Sequence, residues 1–176
     1  MKIFVINGAA GSGKDTFVRL CRKFTGDAYL LNISTVDKVK EIAAKCGWDG
    51  TKTPKNRKFL SDLKALLTEW ADVPLKDVIQ QIERFKRGFE AYDIPDDKAV
   101  VFIHCREPEE IRKLVKALNA RTLLVRREAA ENITASNQSD AGVFDYDYDI
   151  HINNNGSLAE LERTAEVFIK STIDLL

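Results

Sequence analysis

Residues 3–16 read Ile3-Phe4-Val5-Ile6-Asn7-Gly8-Ala9-Ala10-Gly11-Ser12-Gly13-Lys14-Asp15-Thr16. A short apolar run breaks into a glycine-rich turn, and a segment of helical period follows (Phe17, Leu20, Cys21, Phe24). A run this short, bounded by a turn, suits a strand buried on both faces. The turn fits G-x-x-x-x-G-K-[S/T] at Gly8, Gly13 and Lys14, with Asp15 at the usual hydroxyl position. Glycines let backbone N–H groups fold inward around a polyphosphate, and the helix that follows adds its positive dipole end. Lys14 supplies a full charge. The alternative is a glycine-rich strand-to-helix turn with a chance lysine. The strand before it and the helix after it favour the phosphate-binding loop.

The same alternation continues along the chain. Residues 28–33, 99–104, 121–125 and 147–152 form further short apolar runs, the last weaker and alternating. Helical patterns fill the intervals. Ser34 with Asp37 is a capping-box variant ahead of Val39, Ile42 and Ala43, with Gly47 as the stop. Pro54, Pro74 and Pro108 each open a helix, and Glu109 and Glu110 place negative charge at the start of the third of these. Ser157 with Glu160 is a capping box for the last helix. Strand–helix alternation predicts a parallel sheet covered by helices. The stretch between the second and third runs is too long for a simple crossover, which marks residues 34–95 as a helical insert. A polar stretch over residues 128–146, without clear period, reads as a second insert or flap. The whole, residues 1–176, is expected to be one domain.

Composition narrows the function classes. Lys+Arg and Asp+Glu are both 27 in a chain of 176, so the net charge is zero. Coating duplex nucleic acid needs a cation surplus, so that class is disfavoured. No apolar stretch approaches the length of a membrane span. The three cysteines, Cys21, Cys46 and Cys105, lie far apart, and their odd number without a secretion signal points to free thiols in the cytoplasm.

The string Gly-Ser-Gly-Lys-Asp-Thr, residues 11–16, resembles the loop of the phage-type deoxynucleoside monophosphate kinases, with phosphomevalonate kinase as a relative. Other elements match in order and spacing. The third run ends His104-Cys105-Arg106 where that family has Asp-x-Arg. Residues 137–140 read Asn137-Gln138-Ser139-Asp140 where it has a His-x-Ser-Glu-like lid element. Asp147-Tyr148-Asp149-Ile150-His151-Ile152 then leads to Asn153-Asn154-Asn155-Gly156 before the last helix. The resemblance implies an adenylate-kinase-like P-loop α/β/α sandwich. Its five-stranded parallel sheet has the order 2-3-1-4-5, residues 34–95 bind the acceptor, and residues 128–146 form the lid. It also implies ATP and Mg²⁺ as cofactors and a small phosphorylated acceptor as partner, in a monomer or homodimer.

Candidate residues follow. Gly8, Ala10, Gly11, Ser12, Gly13, Lys14, Asp15 and Thr16 would cradle the nucleotide phosphates, Asn154 and Gly156 would border the adenine, and Arg126 and Arg127 would clamp phosphates or cover the base. For these two arginines a solvated pair is the alternative. Lys14, Arg106 and Arg127 are the candidates for stabilising the transferred group, since phosphoryl transfer asks mainly for positioning and positive charge. Lys40, Arg57, His104, Arg106, Asn137 and Ser139 are candidates for holding the acceptor. Asp15 is the candidate metal ligand. A carboxylate beside a polyphosphate helps only while a cation lies between them. His104 departs from the family's acidic residue. It either leaves Asp15 to carry the metal alone, contacts the acceptor, or fills the strand end. Trp48 could stack on a base, whereas Trp70 reads as a core residue. The expected acceptor is a nucleoside or deoxynucleoside monophosphate. The alternatives are phosphomevalonate or another phosphometabolite, and a nucleotide-binding module without catalysis.

Overall fold

The structure, a computed structural model, describes residues 1–134 and 142–173. Strands β1 (Lys2–Asn7), β2 (Tyr29–Ser34), β3 (Ala99–His104), β4 (Arg121–Arg126) and β5 (Ile150–Asn153) form one parallel sheet in the order β2-β3-β1-β4-β5. Helices α1 (Lys14–Cys21), α2 (Asp37–Lys45), α3 (Pro54–Ala71), α4 (Val73–Ala91), α5 (Pro108–Leu118), α6 (Glu128–Thr134) and α7 (Leu158–Thr172) flank it. This is the P-loop α/β sandwich, in the strand order expected from the resemblance.

The interiors of the central strands β1 and β3 are apolar because both faces are covered, and their polar residues, Lys2, Asn7 and His104, stand at the ends. Phe4, Ile6 and Phe102 face α1 and α7, where Phe17 and Phe168 complete an aromatic cluster. Phe168 meets Phe4 at 5.0 Å and Phe17 at 5.5 Å between ring centroids, both edge-on. Val5, Val101 and Ile103 face the other way, onto Ile111 and Leu114 of α5 and Val78 and Ile82 of α4. Period-2 alternation thus sends consecutive apolar residues into two cores.

The helix termini follow local chemistry. Ser157 Oγ accepts from the Glu160 N–H and Glu160 Oε2 accepts from the Ser157 N–H, a complete capping box. Thr53 caps α3, with Pro54 at its start. The Ser34–Asp37 pair forms only half a box. Asp37 Oδ2 accepts from the Ser34 N–H at 2.8 Å, but Ser34 closes β2 and the helix begins at Asp37. β5 is shorter than residues 147–152, because Tyr148 turns inward instead of joining the ladder.

One expectation about burial fails. Helix α3 contributes no fully buried residue, and Trp70, expected in the core, is 84% exposed. Helices α2 and α4 pack along this helix and half-bury Leu60, Leu63 and Leu67, while Leu66 and Trp70 stay exposed. The 128–146 stretch opens with α6, and Val143 near its end is buried. Tyr148, just beyond the stretch, is also buried, and its Oη donates to the Val143 carbonyl at 2.8 Å. Among the described residues no helix is long and apolar enough to cross a membrane.

Candidate phosphate-binding site

In-register pairing aligns the strand ends. Ile6 and Ser34 are both level with His104, Asn7 with Leu124, and Arg126 with Asn153. The loop of residues 8–13 therefore leaves the carboxyl edge of the sheet, where α/β folds bind ligands. Its backbone demands glycine at two points. A Cβ on Gly8 would stand 2.5 Å from both Ser12 Oγ and the Val125 carbonyl oxygen. Gly13 lies in the left-handed region (φ 95°) and its Cβ would strike the Asn154 amide. From Gly13 the chain enters α1, with the Phe17 N–H donating to the Gly13 carbonyl at 2.8 Å. The first-turn N–H groups of a helix lack intrahelical acceptors, so Lys14, Asp15 and Thr16 present theirs at an anion position.

Asn7 anchors the loop from below. It is fully buried, its Oδ1 accepts from the Gly8 N–H, and its Nδ2 donates to Tyr148 Oη at 2.7 Å and to the Arg106 carbonyl at 3.1 Å. The opposite wall is tied by Asn154. Its Nδ2 donates to the Ser12 carbonyl at 2.8 Å and its N–H to the Arg126 carbonyl at 2.8 Å. Asn155 binds the Glu128 N–H and carboxylate, joining the same turn to the start of α6. Lys14 Nζ lies 3.3 Å from the Gly8 carbonyl oxygen, folded over the loop.

Two clefts meet at Lys14 and Asp15. One, about 360 Å³, is lined by Gly11, Gly13, Lys14, Asp15, Thr16, Arg127, Asn154 and Gly156, with Leu158 and Leu161 giving it an apolar side. The other, about 520 Å³, is lined by Lys14, Asp15, Lys40, Lys52, Lys64, His104 and Arg106, with Asn32, Ser34, Thr35 and Asp37 among its polar walls. Five cations against three carboxylates (Asp15, Asp37 and Glu107) line this cleft, a local positive excess in a chain with no net charge.

The structure brings together most of the sequence candidates and leaves others outside. Gly11, Gly13, Lys14, Asp15, Thr16, Arg127, Asn154 and Gly156 share the first cleft, and Lys40, His104 and Arg106 the second. Ser12 is buried beneath the loop and Ala10 is exposed on it. Arg126 faces away, held by both oxygens of Glu131 at 2.9 and 2.8 Å, over the Phe144 ring. Arg57 is exposed on α3 and donates to the Lys52 carbonyl, outside the cation-rich cleft. Asn137 and Ser139 lie outside the described residues.

Asn7, Lys52, Lys64 and Leu158 were not singled out in the sequence. For Asn7 a signal existed: a lone amide ending an apolar run just before the loop. Lys64 had none, since it is one of many helix lysines. Its Nζ pairs with Glu110 at 2.7 Å and with Glu107 at 2.5 Å. Thr35 Oγ1 and Cys105 Sγ also donate to Glu110 Oε2, at 3.0 and 3.1 Å. Burial alone would lower the Lys64 pKa, but the charges of Glu110 and Glu107 outweigh it and raise it. This network bolts α3 of the insert to α5 and sets the floor of the cation-rich cleft.

The metal question turns on Asp15 and His104. The Asp15 side chain is 87% exposed and offers oxygen beside the phosphate position, which fits Mg²⁺ held by one carboxylate and substrate phosphates. His104, 14% exposed, faces it with Nδ1 3.6 Å from Asp15 Oδ1, and its Nε2 lies 2.9 Å from Asn32 Oδ1. Burial foremost holds the His104 pKa below its ordinary value, with Lys14 adding to the effect and Asp15 opposing it.

No protein-family model matches the chain, and no curated protein does. Among solved structures, shikimate kinase from Aquifex aeolicus aligns over 97% of each chain, at 14% identity and a TM-score of 0.47. A gluconokinase from Sinorhizobium meliloti covers 99% of this chain and 94% of its own, at 12% identity and a TM-score of 0.46. The protein TT1252 from Thermus thermophilus covers 97% of each chain, at 22% identity and a TM-score of 0.44.

Proposed function

We propose that this protein transfers the γ-phosphate of ATP to a small phosphorylated acceptor, a nucleoside or deoxynucleoside monophosphate being the favoured class. The observation that carries this reading is the meeting of two clefts at Lys14, one closed by the phosphate loop and one lined by Lys40, Lys52, Lys64 and Arg106. ATP would lie with its phosphates along residues 8–16 and its base against Leu158 and the Asn154–Gly156 turn. Arg127, on the same cleft, would neutralise the polyphosphate. The acceptor phosphate would enter from the cation-rich side, held by Arg106 and Lys40. That places donor and acceptor phosphates on either side of Lys14, whose charge would offset the negative charge building on the transferred group. A phosphate acceptor is already anionic, so no general base is required. Mg²⁺ held at Asp15 would supply charge neutralisation between the phosphates.

A second reading concerns the acceptor's body. An apolar groove of about 560 Å³ adjoins the cation-rich cleft, sharing Val36, Lys40, Lys64 and Glu107 with it and adding Val39, Leu60 and Leu75. This favours a phosphometabolite with an apolar body over a polar base. Release of ADP, measured across nucleoside monophosphates and apolar phosphate monoesters with ATP and Mg²⁺, separates the two. ATP binding without acceptor-dependent ADP release would instead indicate a nucleotide-binding module.

A further inference from the structure

The loop's Asp15 has an unusual neighbour. An imidazole nitrogen, His104 Nδ1, stands 3.6 Å from Asp15 Oδ1 at the carboxyl edge of the central sheet. The other ring nitrogen settles what that atom offers. Nε2 lies 2.9 Å from Asn32 Oδ1, and an amide oxygen only accepts hydrogen bonds, so this contact favours the tautomer with the hydrogen on Nε2. In the neutral ring Nδ1 is then a bare lone pair facing a carboxylate oxygen. Two acceptors facing each other at 3.6 Å repel unless a proton or a cation lies between them. Donor atoms sharing one first-row ion each lie about 2.1 Å from it, so they stand within roughly 4 Å of each other. The observed separation falls inside that limit. Metal-ligating histidines are oriented by an oxygen acceptor on the far ring nitrogen, a role that Asn32 Oδ1 fills here.

From this geometry we propose that His104 and Asp15 are joint ligands of the nucleotide-bound metal, and that the site holds Mn²⁺ or Co²⁺ in preference to Mg²⁺. The inference rests on the nucleotide-binding reading of the loop. Mg²⁺ takes oxygen and sheds water reluctantly, whereas imidazole suits the later first-row ions. Lys14 and Lys40 line the same cleft and repel a bare cation, so the ion enters with the phosphates. Asn32 acts as a positioning residue, fixing the ring through Nε2.

The test is pulsed electron paramagnetic resonance on the full chain with Mn²⁺ and ADP, which needs no turnover. The chain has two histidines, His104 and His151, and the latter is on β5, lining a different cavity with Arg126. Nitrogen modulation on the Mn²⁺ echo is expected, and selective ¹⁵N-histidine labelling of the wild type should change its frequency, which separates imidazole from adenine nitrogen. His104→Asp should abolish it and His151→Gln should keep it. The ratio of Mg²⁺ to Mn²⁺ dissociation constants in the ADP complex should fall by about tenfold or more in His104→Asp. Mn²⁺–ADP binding without histidine modulation, or a ratio unchanged by His104→Asp, overturns the proposal and leaves the nucleotide site standing. No Mn²⁺–ADP or ADP binding at all overturns both. The labelled wild-type spectrum decides the matter even if a variant does not fold.

Discussion

Asn154, on the turn after β5, donates its Nδ2 hydrogen to the Ser12 carbonyl at 2.8 Å and so holds the phosphate loop by a residue 142 positions away. The same side chain occupies the space that a Cβ on Gly13 would need. On the proposed reading, Asn154 would act on a nucleotide through the loop, by fixing the path that aims the backbone N–H groups. Asn154→Ala removes one hydrogen bond of about 1 kcal/mol and leaves the Ser12 carbonyl to water. ATP affinity should drop by about fivefold to tenfold by titration calorimetry, with thermal stability little changed. Unchanged affinity would separate Asn154 from the loop's function.

The largely buried pairing of Lys64 with Glu110 joins the helical insert to α5. Removing one partner of such a pair strands the other's charge. Lys64→Ala should destabilise the fold by about 3 kcal/mol, and Lys64→Ala/Glu110→Gln should recover part of that loss. Urea unfolding of the single and double variants measures both. Equal stability of all variants would mean that water already reaches Glu110.

The start of β5 is fixed by Asp149, whose Oδ2 accepts from the Thr122 N–H at 2.7 Å and from Thr122 Oγ1 at 2.8 Å. These bonds, the backbone one foremost, hold the Asp149 pKa below its ordinary value. A carboxylate with a lowered folded pKa contributes stability that is fully present above the unfolded value, about 4. The contribution is lost as pH falls through the lower, folded value. Acid titration should show the wild type losing stability below about pH 4. Asp149→Ala should be less stable at pH 7 and less sensitive to acid across that range.

Thiol reactivity should divide the cysteines. Cys46 is exposed, whereas Cys21 and Cys105 are buried. Burial pushes the Cys21 pKa up to about 12, and burial with the Glu110 charge raises that of Cys105 well above the ordinary thiol value. Since the thiolate is the reactive form, a folded sample should label rapidly at Cys46 alone and at the others only on unfolding. Peptide mass analysis after brief alkylation checks this, and rapid labelling of Cys105 would show that the floor of the cation-rich cleft opens.

Strand positions and the phosphate loop were legible because both depend on local rules. Continuous apolar runs fit a doubly covered sheet, and Gly8, Gly13 and Lys14 hold fixed spacing around one turn. The Ser157–Glu160 box was legible for the same reason. What the sequence concealed was tertiary. Trp70 has core chemistry but sits on the exposed side of α3, and periodicity does not reveal whether a stripe finds a partner. Arg126 and Arg127 are adjacent, yet strand geometry sends the first to Glu131 and the second to the loop. Lys64 looks like any solvated lysine until α5 brings Glu107 and Glu110 to it. The role of His104 depends on Asn32, a residue on the neighbouring strand.

The central claim is phosphate transfer across Lys14 between two clefts. The most direct measurement follows γ-labelled ATP, incubated with divalent metal and a panel of nucleoside monophosphates and apolar phosphate monoesters. The account predicts label in a diphosphate product for at least one acceptor, lost in Lys14→Ala and reduced at least about tenfold in Arg106→Ala. Label released only as inorganic phosphate, or transfer that survives Lys14→Ala, would contradict it.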